Sequence, residues 1–363
     1  MSDKINIKIL VAPLDWGLGH ATRCIPIINQ LLKSGCKIII AAGGPQEKLL
    51  KTEFPDLVFI NLPGYQIKYS TIKRFFTLKI ILQIPKIFFA IKRENRWLKA
   101  FISQTPVDAI ISDNRYGLYH PGLPSVFITH QLLIKVPFSI AERILQRLNY
   151  VLIEKFTYCW VPDEKGKVNL AGALSHPKKL PQLQLNYLGG LSRLSKQIDC
   201  KKKYDFLVII SGPEPQRSLL EKKMLSQLAS FGGSVLFIRG LPTIEEVLLS
   251  KENIIIKNHL PAKELEEAFC ESELIISRSG YTTVMDICKL QKKAILIPTP
   301  GQTEQEYLAH HLEEQGWCIS MSQDDFSLDK LLLRVKHFKY KLPQLDMEGY
   351  RNVVEDFIQK FRD

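Results

Sequence analysis

Short apolar runs alternate with helical stretches along the whole chain. In the first half, Ile5–Val11, Lys37–Ala42, Leu57–Ile60, Ala109–Ser112 and Ser125–Thr129 are β-branched runs bounded by Gly, Pro or Asp, which is the pattern of strands. His20–Lys33, closed by Gly35, predicts a helix. The second half repeats the scheme. Strands are expected over Phe206–Ile210, Val235–Ile238, Ile254–Ile256, Leu274–Ile276 and Ala294–Ile297. Helices are expected over Pro215–Ser230, Pro261–Cys270, Thr282–Leu290 and Glu304–Gln315. Nearly continuous apolar strands alternating with helices predict parallel sheets covered on both faces, an α/β fold. A polar stretch after Gly189-Gly190 places a domain boundary near Asn186–Lys203. The tail, Leu345–Phe361, has Val353, Val354, Phe357, Ile358 and Phe361 at helical spacing and predicts a closing helix.

One segment breaks the alternation. Between Tyr65 and Phe101 lie nine Lys or Arg and one acid, Glu94, interleaved with Phe75, Phe76, Phe88, Phe89 and Trp97. Pro85 is expected to break or kink the pattern. Two readings fit: a long core helix whose charges face water, and a helix lying in an anionic membrane interface.

Composition narrows the partners. The chain of 363 residues fits two domains, and its net charge of +12 suits nucleotide diphosphates, acidic membrane surfaces or nucleic acid. Aromatic residues are not gathered on a basic strand face, which argues against nucleic acid. Seven scattered cysteines form no C-x-x-C and no zinc pattern; several sit in apolar runs, where cysteine acts as a small buried hydrophobe, and the set reads as a reducing cytoplasm. No run reaches the roughly 18 apolar residues of a spanning helix, so the expectation is cytoplasmic, at most peripheral on the inner membrane face.

Three glycine turns carry the candidate chemistry. Arg278-Ser279-Gly280, after an apolar run and before Tyr281-Thr282-Thr283-Val284-Met285-Asp286, reads as a strand turning into a helix, a geometry that binds diphosphate. Arg278 is expected on a phosphate, Asp286 on ribose hydroxyls, and Glu304 and Gln305 on sugar hydroxyls. Ser211-Gly212 with Arg217 is a second possible phosphate turn, weakened by Pro213 and Pro215. The first turn, Gly17-Leu18-Gly19-His20, lacks the third glycine of a dinucleotide fingerprint, and no acid ends the second strand. It places His20 at a helix start as a candidate general base, or as a simple cap. Asp113 ends a strand on the same sheet edge and would orient the imidazole, or form an ordinary turn. His130 and Gln131, at that edge too, are candidates for acceptor contact. Three such turns point to a nucleotide diphosphate and a reacting group held between two α/β domains.

At these residues the chain resembles the GT-B nucleotide-sugar glycosyltransferases, in particular the branch containing the peptidoglycan N-acetylglucosaminyltransferase, most strongly over Leu274–Tyr307. The resemblance implies two Rossmann-like domains facing a cleft: an acceptor domain over 1–187, a donor domain over 188–340, and a tail over 341–363 crossing back. It implies Ser279, Gly280 and Thr283 at the donor diphosphate, Asp286 at ribose where glutamate is usual, and Glu304-Gln305 at the sugar. Gly17, Gly19 and the base His20 would lie beside the acceptor. It further implies an inverting transfer from a UDP-sugar co-substrate with no metal or other cofactor; no Asp-x-Asp motif is present. Gly17-Leu18-Gly19-His20-Ala21-Thr22-Arg23 is also similar to the turn of the UDP-sugar hydrolase of pseudaminic acid synthesis. Hydrolysis, or an inactive nucleotide-sugar-binding protein, therefore stays open beside transfer to a lipid-linked acceptor.

Overall fold

The computed structural model describes residues 7–65, 83–136, 138–197, 200–242, 244, 248–250 and 253–362. They form two compact units, one made of residues up to 65, 83–192 and 346–362, the other of 193–345.

In the first unit β1 (Lys8–Pro13) leads through α1 (Leu18–Lys33) to β2 (Lys37–Ala42), then α2 (Gly44–Glu53) and β3 (Val58–Asn61). After α3 (Ile84–Gln104) come β4 (Ala109–Asp113), β5 (Ser125–Ile128), α4 (Ser139–Ile153), β6 (Tyr158–Val161) and β7 (Gln184–Tyr187). The strands are parallel in the order β3-β2-β1-β4-β5-β6-β7. β1 and β4 are the central pair, and their apolar residues are almost wholly buried, as two covered faces require.

The second unit runs β8 (Tyr204–Ile209), α5 (Gln216–Leu228), β9 (Val235–Ile238), β10 (Ile254–Lys257), α6 (Ala262–Glu271) and β11 (Ser272–Ser277). It continues with α7 (Tyr281–Lys289), β12 (Lys293–Leu296), α8 (Thr303–Glu314), β13 (Ile319–Ser320) and α9 (Leu328–His337). Its parallel order is β10-β9-β8-β11-β12-β13. The last helix, α10 (Tyr350–Gln359), packs in the first unit: Ser34 Oγ donates to Glu355 Oε2 at 2.8 Å, and the Phe357 ring meets Tyr158 and Trp160 edge-on.

Several elements escape the sequence pattern for local reasons. β7 reads Gln-Leu-Asn-Tyr and pairs on one side only, and β13 is two residues long, so neither shows an apolar run. Pro85 does not break a helix. It sits in the first turn of α3, where its missing N–H is no loss. Cys200 and Cys270 are joined by a disulfide, contrary to the reading of seven unpaired thiols; the other five are free and buried. The pairing of β8 with β11 explains it. Tyr204 lies opposite Ser272, so residues 70 positions apart reach the same sheet edge.

Part of the Tyr65–Phe101 segment, residues 66–82, lies outside the described residues. In the rest, α3 buries Ala90, Ile91 and Leu98 and exposes Lys86, Phe89, Lys92, Arg93, Arg96 and Lys99. Its one acid is buried. Glu94 accepts from Arg115 Nη1 at 2.8 Å, the Tyr65 hydroxyl at 2.7 Å and Gly117 N at 2.9 Å. Arg115, fully buried, also donates to the carbonyls of Pro13, Leu62 and Pro63. Removing one partner leaves an uncompensated buried charge. Arg115→Met should therefore cost about 3–5 kcal/mol in urea denaturation, and pairing it with Glu94→Gln should recover part of the loss.

Candidate active site

Strand order changes direction between β1 and β4 in the first unit and between β8 and β11 in the second. Loops leaving the carboxyl ends of such neighbours diverge, and ligands of open α/β sheets bind in the crevice that results. Each of these edges carries candidate chemistry.

In the first unit Gly17 has φ 89°, a backbone state that glycine adopts at little cost, and it caps α1. The turn brings His20 to the first turn of the helix, its side chain 15% exposed. Asp113, last residue of β4 and opposite Pro13 of β1, is fully buried. Its carboxylate accepts from His20 Nδ1 at 2.8 Å, from Arg23 Nε at 2.5 Å and from Arg23 Nη2. Arg23 stands three residues after His20, on the same helix face, and is 2% exposed. Its Nη2 is 2.9 Å from His20 Nδ1, and its Nη1 is 3.3 Å from Nδ1 of the buried His130.

His20 Nδ1 cannot donate to Asp113 and accept from Arg23 at once. The ionised carboxylate is the stronger partner, so Nδ1 carries the proton and Nε2 keeps its lone pair. Burial pushes the His20 pKa down, Arg23 pushes it further, and Asp113 only partly opposes them. For Asp113, burial alone would raise the carboxyl, but Arg23 and then His20 outweigh it and hold it well below the usual carboxylate range. The result is a neutral imidazole with an oriented, basic Nε2, fit to take a proton from a hydroxyl or from water.

In the second unit Ser211 and Gly212 follow β8 and are exposed, Gly212 with φ 110°. After β11, Gly280 is the N-cap of α7, and a Cβ added there would meet open space. First-turn N–H groups of a helix have no intrahelical acceptor, so this end is an electropositive platform. Thr283 and Asp286 lie on α7, and Glu304 and Gln305 on the first turn of α8, all half-buried. Gln305 ties the edge together: its Oε1 accepts from Thr299 N at 2.9 Å, and its carbonyl accepts from Ser279 Oγ at 2.8 Å.

The comparisons with known proteins meet these edges. Residues 243–360 match the model of the glycosyltransferase family 28 C-terminal domain. This chain is a glycosyltransferase whose second half is similar to that domain. An N-acetylglucosamine transferase of Clostridium perfringens (strain SM101), named as acting on N-acetylmuramyl-(pentapeptide) pyrophosphoryl-undecaprenol, is 23% identical over 332 residues. That alignment covers 88% of this chain and 86% of the relative. Acinetobacter baumannii MurG aligns over 98% of this chain and 99% of its own, with TM-score 0.56 and 14% identity. The spinosyn rhamnosyltransferase SpnG, solved with thymidine diphosphate, aligns over 98% and 96%, with TM-score 0.63 and 13% identity. The fold is GT-B.

Within this glycosyltransferase two arginines do not stand where the sequence reading put them. Arg278 is fully buried, not on a phosphate-facing surface. It donates to the carbonyls of Ile297, Pro298 and Gln216 and to Gln323 Oε1, and burial lowers its pKa to about 10. Arg217 is buried between Glu214 and Glu221, with Nε and Nη1 each at 2.5 Å from a carboxylate, and it also donates to the Arg239 carbonyl. Both guanidiniums are held by protein acceptors, so they shape the loops. His130 is likewise buried and turned to Arg23, whereas Gln131 is half-exposed, its N–H on Thr129 Oγ1 at 3.0 Å. Gly19 lies within α1, its carbonyl accepting from Thr22 Oγ1.

Arg23 is the residue that sequence reasoning missed. The signal was there in its three-residue spacing from His20, but its burial against Asp113 was not. Among the described residues no group of three or more His, Cys, Asp or Glu is arranged to hold a metal ion. A test of the cluster needs no substrate. His20, followed by NMR, should titrate below its ordinary value of 6.5. Arg23→Gln removes a cation that disfavours the imidazolium, so the titration should move to higher pH; an unchanged midpoint contradicts the arrangement.

Proposed function

We propose that this enzyme is an inverting, metal-independent glycosyltransferase that moves a sugar from a UDP-sugar to a hydroxyl of a lipid-linked acceptor. The observation that carries the reading is the His20–Asp113 pair at the strand-order switch of the first unit. His20 Nε2 takes the acceptor proton while Asp113 holds the imidazole. The freed oxygen attacks the anomeric carbon on the face opposite the leaving diphosphate, which inverts the centre. Charge on the leaving UDP is met by backbone N–H groups at Ser279-Gly280 and Ser211-Gly212 and by the positive end of α7. Asp286 accepts from ribose hydroxyls, and Glu304 and Gln305 accept from or donate to the sugar. A helix end in that place supplies the positive potential that a metal supplies elsewhere.

The UDP donor and the lipid-linked acceptor are supported by the names of the relatives, whose donor is UDP-N-acetylglucosamine and whose acceptor carries pyrophosphoryl-undecaprenol. The deciding experiment incubates the enzyme with UDP-sugars and candidate lipid pyrophosphate acceptors and follows UDP release and product. His20→Ala should lower turnover about 10²–10⁴-fold, with UDP affinity little changed. UDP released at equal rates with and without acceptor favours the hydrolase reading of the Gly17–Arg23 turn instead.

A lipid-linked acceptor requires approach to a bilayer. α4 carries an exposed apolar stripe, with Ile140 at 72%, Ile144 at 53% and Val151 at 59% exposure, and Phe138 beside its start at 74%. Leu152 of α4 packs in the cluster that holds Ala90 and Ile91 of α3, so this stripe and the basic face of α3 belong to neighbouring helices. Vesicles containing anionic lipid should therefore co-sediment the protein more than neutral ones. Replacing Lys86, Lys92, Arg93 and Arg96 with Gln should reduce that binding, at about 1 kcal/mol per charge near the surface. Binding indifferent to lipid charge leaves α3 an ordinary core helix.

A further inference from the structure

The Cys200–Cys270 bond lies within the second unit, away from the His20 cluster of the first. Cys200 belongs to the segment 193–203 that leads into β8, and Cys270 to the last turn of α6. The other five cysteines are buried, whereas these two are half-exposed, so this is the pair that a small solute can reach. The reduced form is also provided for. Cys200 Sγ lies 3.9 Å from Gln197 Oε1, and Cys270 Sγ lies 3.6 Å from the Gln197 carbonyl oxygen. Bonded sulfurs have no proton to offer these oxygens, whereas two thiols would each donate to one. The bond can therefore open without leaving a donor unmet.

Charge favours the opening. Cys270 stands at the carbonyl end of α6, where the helix dipole opposes a thiolate. Two lysines offset it. Lys202 Nζ donates to the carbonyls of Cys270 and Ser272 at 2.7 and 2.9 Å, and Lys292 Nζ reaches the same two oxygens at 3.2 Å each. Positive charge is crowded here: burial, and then Lys202 and Lys196, push the Lys292 pKa down to about 7. A thiolate leaving on Cys270 relieves that crowding, and cations beside a cysteine are what make its thiolate a good leaving group. Lys196, Lys201, Lys202 and Lys203 are all exposed, so an incoming anion is drawn to the same place. The bond also straps its segment. Elsewhere 193–203 is held by Ser195 N on Glu266 Oε1 at 2.7 Å, and by Lys203, whose N–H meets the Glu271 carbonyl at 2.9 Å and whose Nζ meets the Glu271 carboxylate at 2.5 Å. These are exposed or half-exposed polar contacts, which hold weakly in water.

We propose that Cys200–Cys270 is a reversible thiol–disulfide exchange site for anionic low-molecular-weight thiols, and that its bond straps segment 193–203 to the end of α6. The thiolate of the small thiol attacks Cys200 Sγ, the S–S bond breaks, and its electron pair leaves on Cys270 Sγ. A second small thiol then displaces the first from Cys200. In sum, two small thiols give up two electrons and two protons and depart as their own disulfide, and the protein keeps two thiols. The oxidised small thiol reverses the sequence. No part of this rests on the transferase reading.

The test equilibrates the full chain in glutathione buffers running from reduced to oxidised, quenches with acid, alkylates free thiols and maps the peptides by mass spectrometry. The Cys200 and Cys270 peptides should pass together from alkylated thiols to a linked pair across the series, and back again. A pair that stays linked in reduced glutathione until denaturant is added overturns the proposal, as does a pair that stays reduced in oxidised glutathione. At equal thiolate concentration, anionic glutathione should open the bond several-fold faster than cationic cysteamine, and Lys202→Gln with Lys292→Gln should erase the preference. Equal rates for the two thiols in the wild type overturn the proposal, and so does a preference kept in the double variant. Near-UV circular dichroism reports whether that variant is folded; if it is not, Lys202→Gln alone, at an exposed position, carries the same comparison. Trypsin should cut after Lys196 and Lys201 several-fold faster in the reduced protein, and at one rate in both buffers in Cys200→Ser. Cleavage indifferent to reduction in the wild type overturns the strap.

Discussion

Carbonyls and loop backbones at the carboxyl end of a parallel sheet leave the ladder without partners, and where neighbouring loops diverge something must meet them. Buried guanidiniums do so in both units. Arg115 joins the carbonyls of Pro13, Leu62 and Pro63 to the Glu94 carboxylate. Arg278, itself after β11, joins Gln216, Ile297, Pro298 and Gln323, segments that follow three other strands of its sheet, β8, β12 and β13. A planar cation with five donors in a rigid fork suits this task, where the point charge of lysine does not. The edges that carry candidate chemistry are thus held from beneath, by charges that solvent and ligand do not reach.

Arg23 extends the theme into the reactive cluster. A carboxylate beside a histidine ordinarily raises its basicity. Here burial and then the bidentate arginine outweigh the Asp113 carboxylate, so the imidazole is oriented while its pKa is lowered. Such an imidazole is neutral at neutral pH, as the base role proposed for His20 requires, and the low dielectric around it strengthens its hydrogen bonds. The same burial raises the Cys24 thiol far above its ordinary range, so that neighbour stays protonated beside Asp113.

The second unit also turns its arginines inward. Its side-chain cations near the candidate donor turns are internal, Arg217 between two carboxylates and Arg278 among carbonyls. What remains presented at Ser211-Gly212 and at Gly280 is backbone, which offers N–H dipoles fixed by the fold. Fixed dipoles need no reorganisation as charge develops, which is what the proposed donor role asks of these turns.

Much of this was legible in the chain. Alternating apolar runs and helical periods specify two parallel α/β units, because strands covered on both faces must be apolar throughout, and the Ser279-Gly280 and Gly17–His20 turns stand out because glycine marks sharp strand-to-helix turns. The edge strands β7 and β13 were not legible, since a strand paired on one side needs no apolar run. Nor was the Cys200–Cys270 link, which depends on the register of β8 against β11. The sequence by itself determined which residues lie near each sheet edge, because local pattern sets where strands end. Only the tertiary structure decided which of them face inward. Arg278 and Arg217 looked like phosphate ligands and are internal ties, while Arg23 looked unremarkable and stands in the cluster with His20 and Asp113. The reason is that a charge's partners are chosen by long-range packing, and no spacing along the chain records that choice.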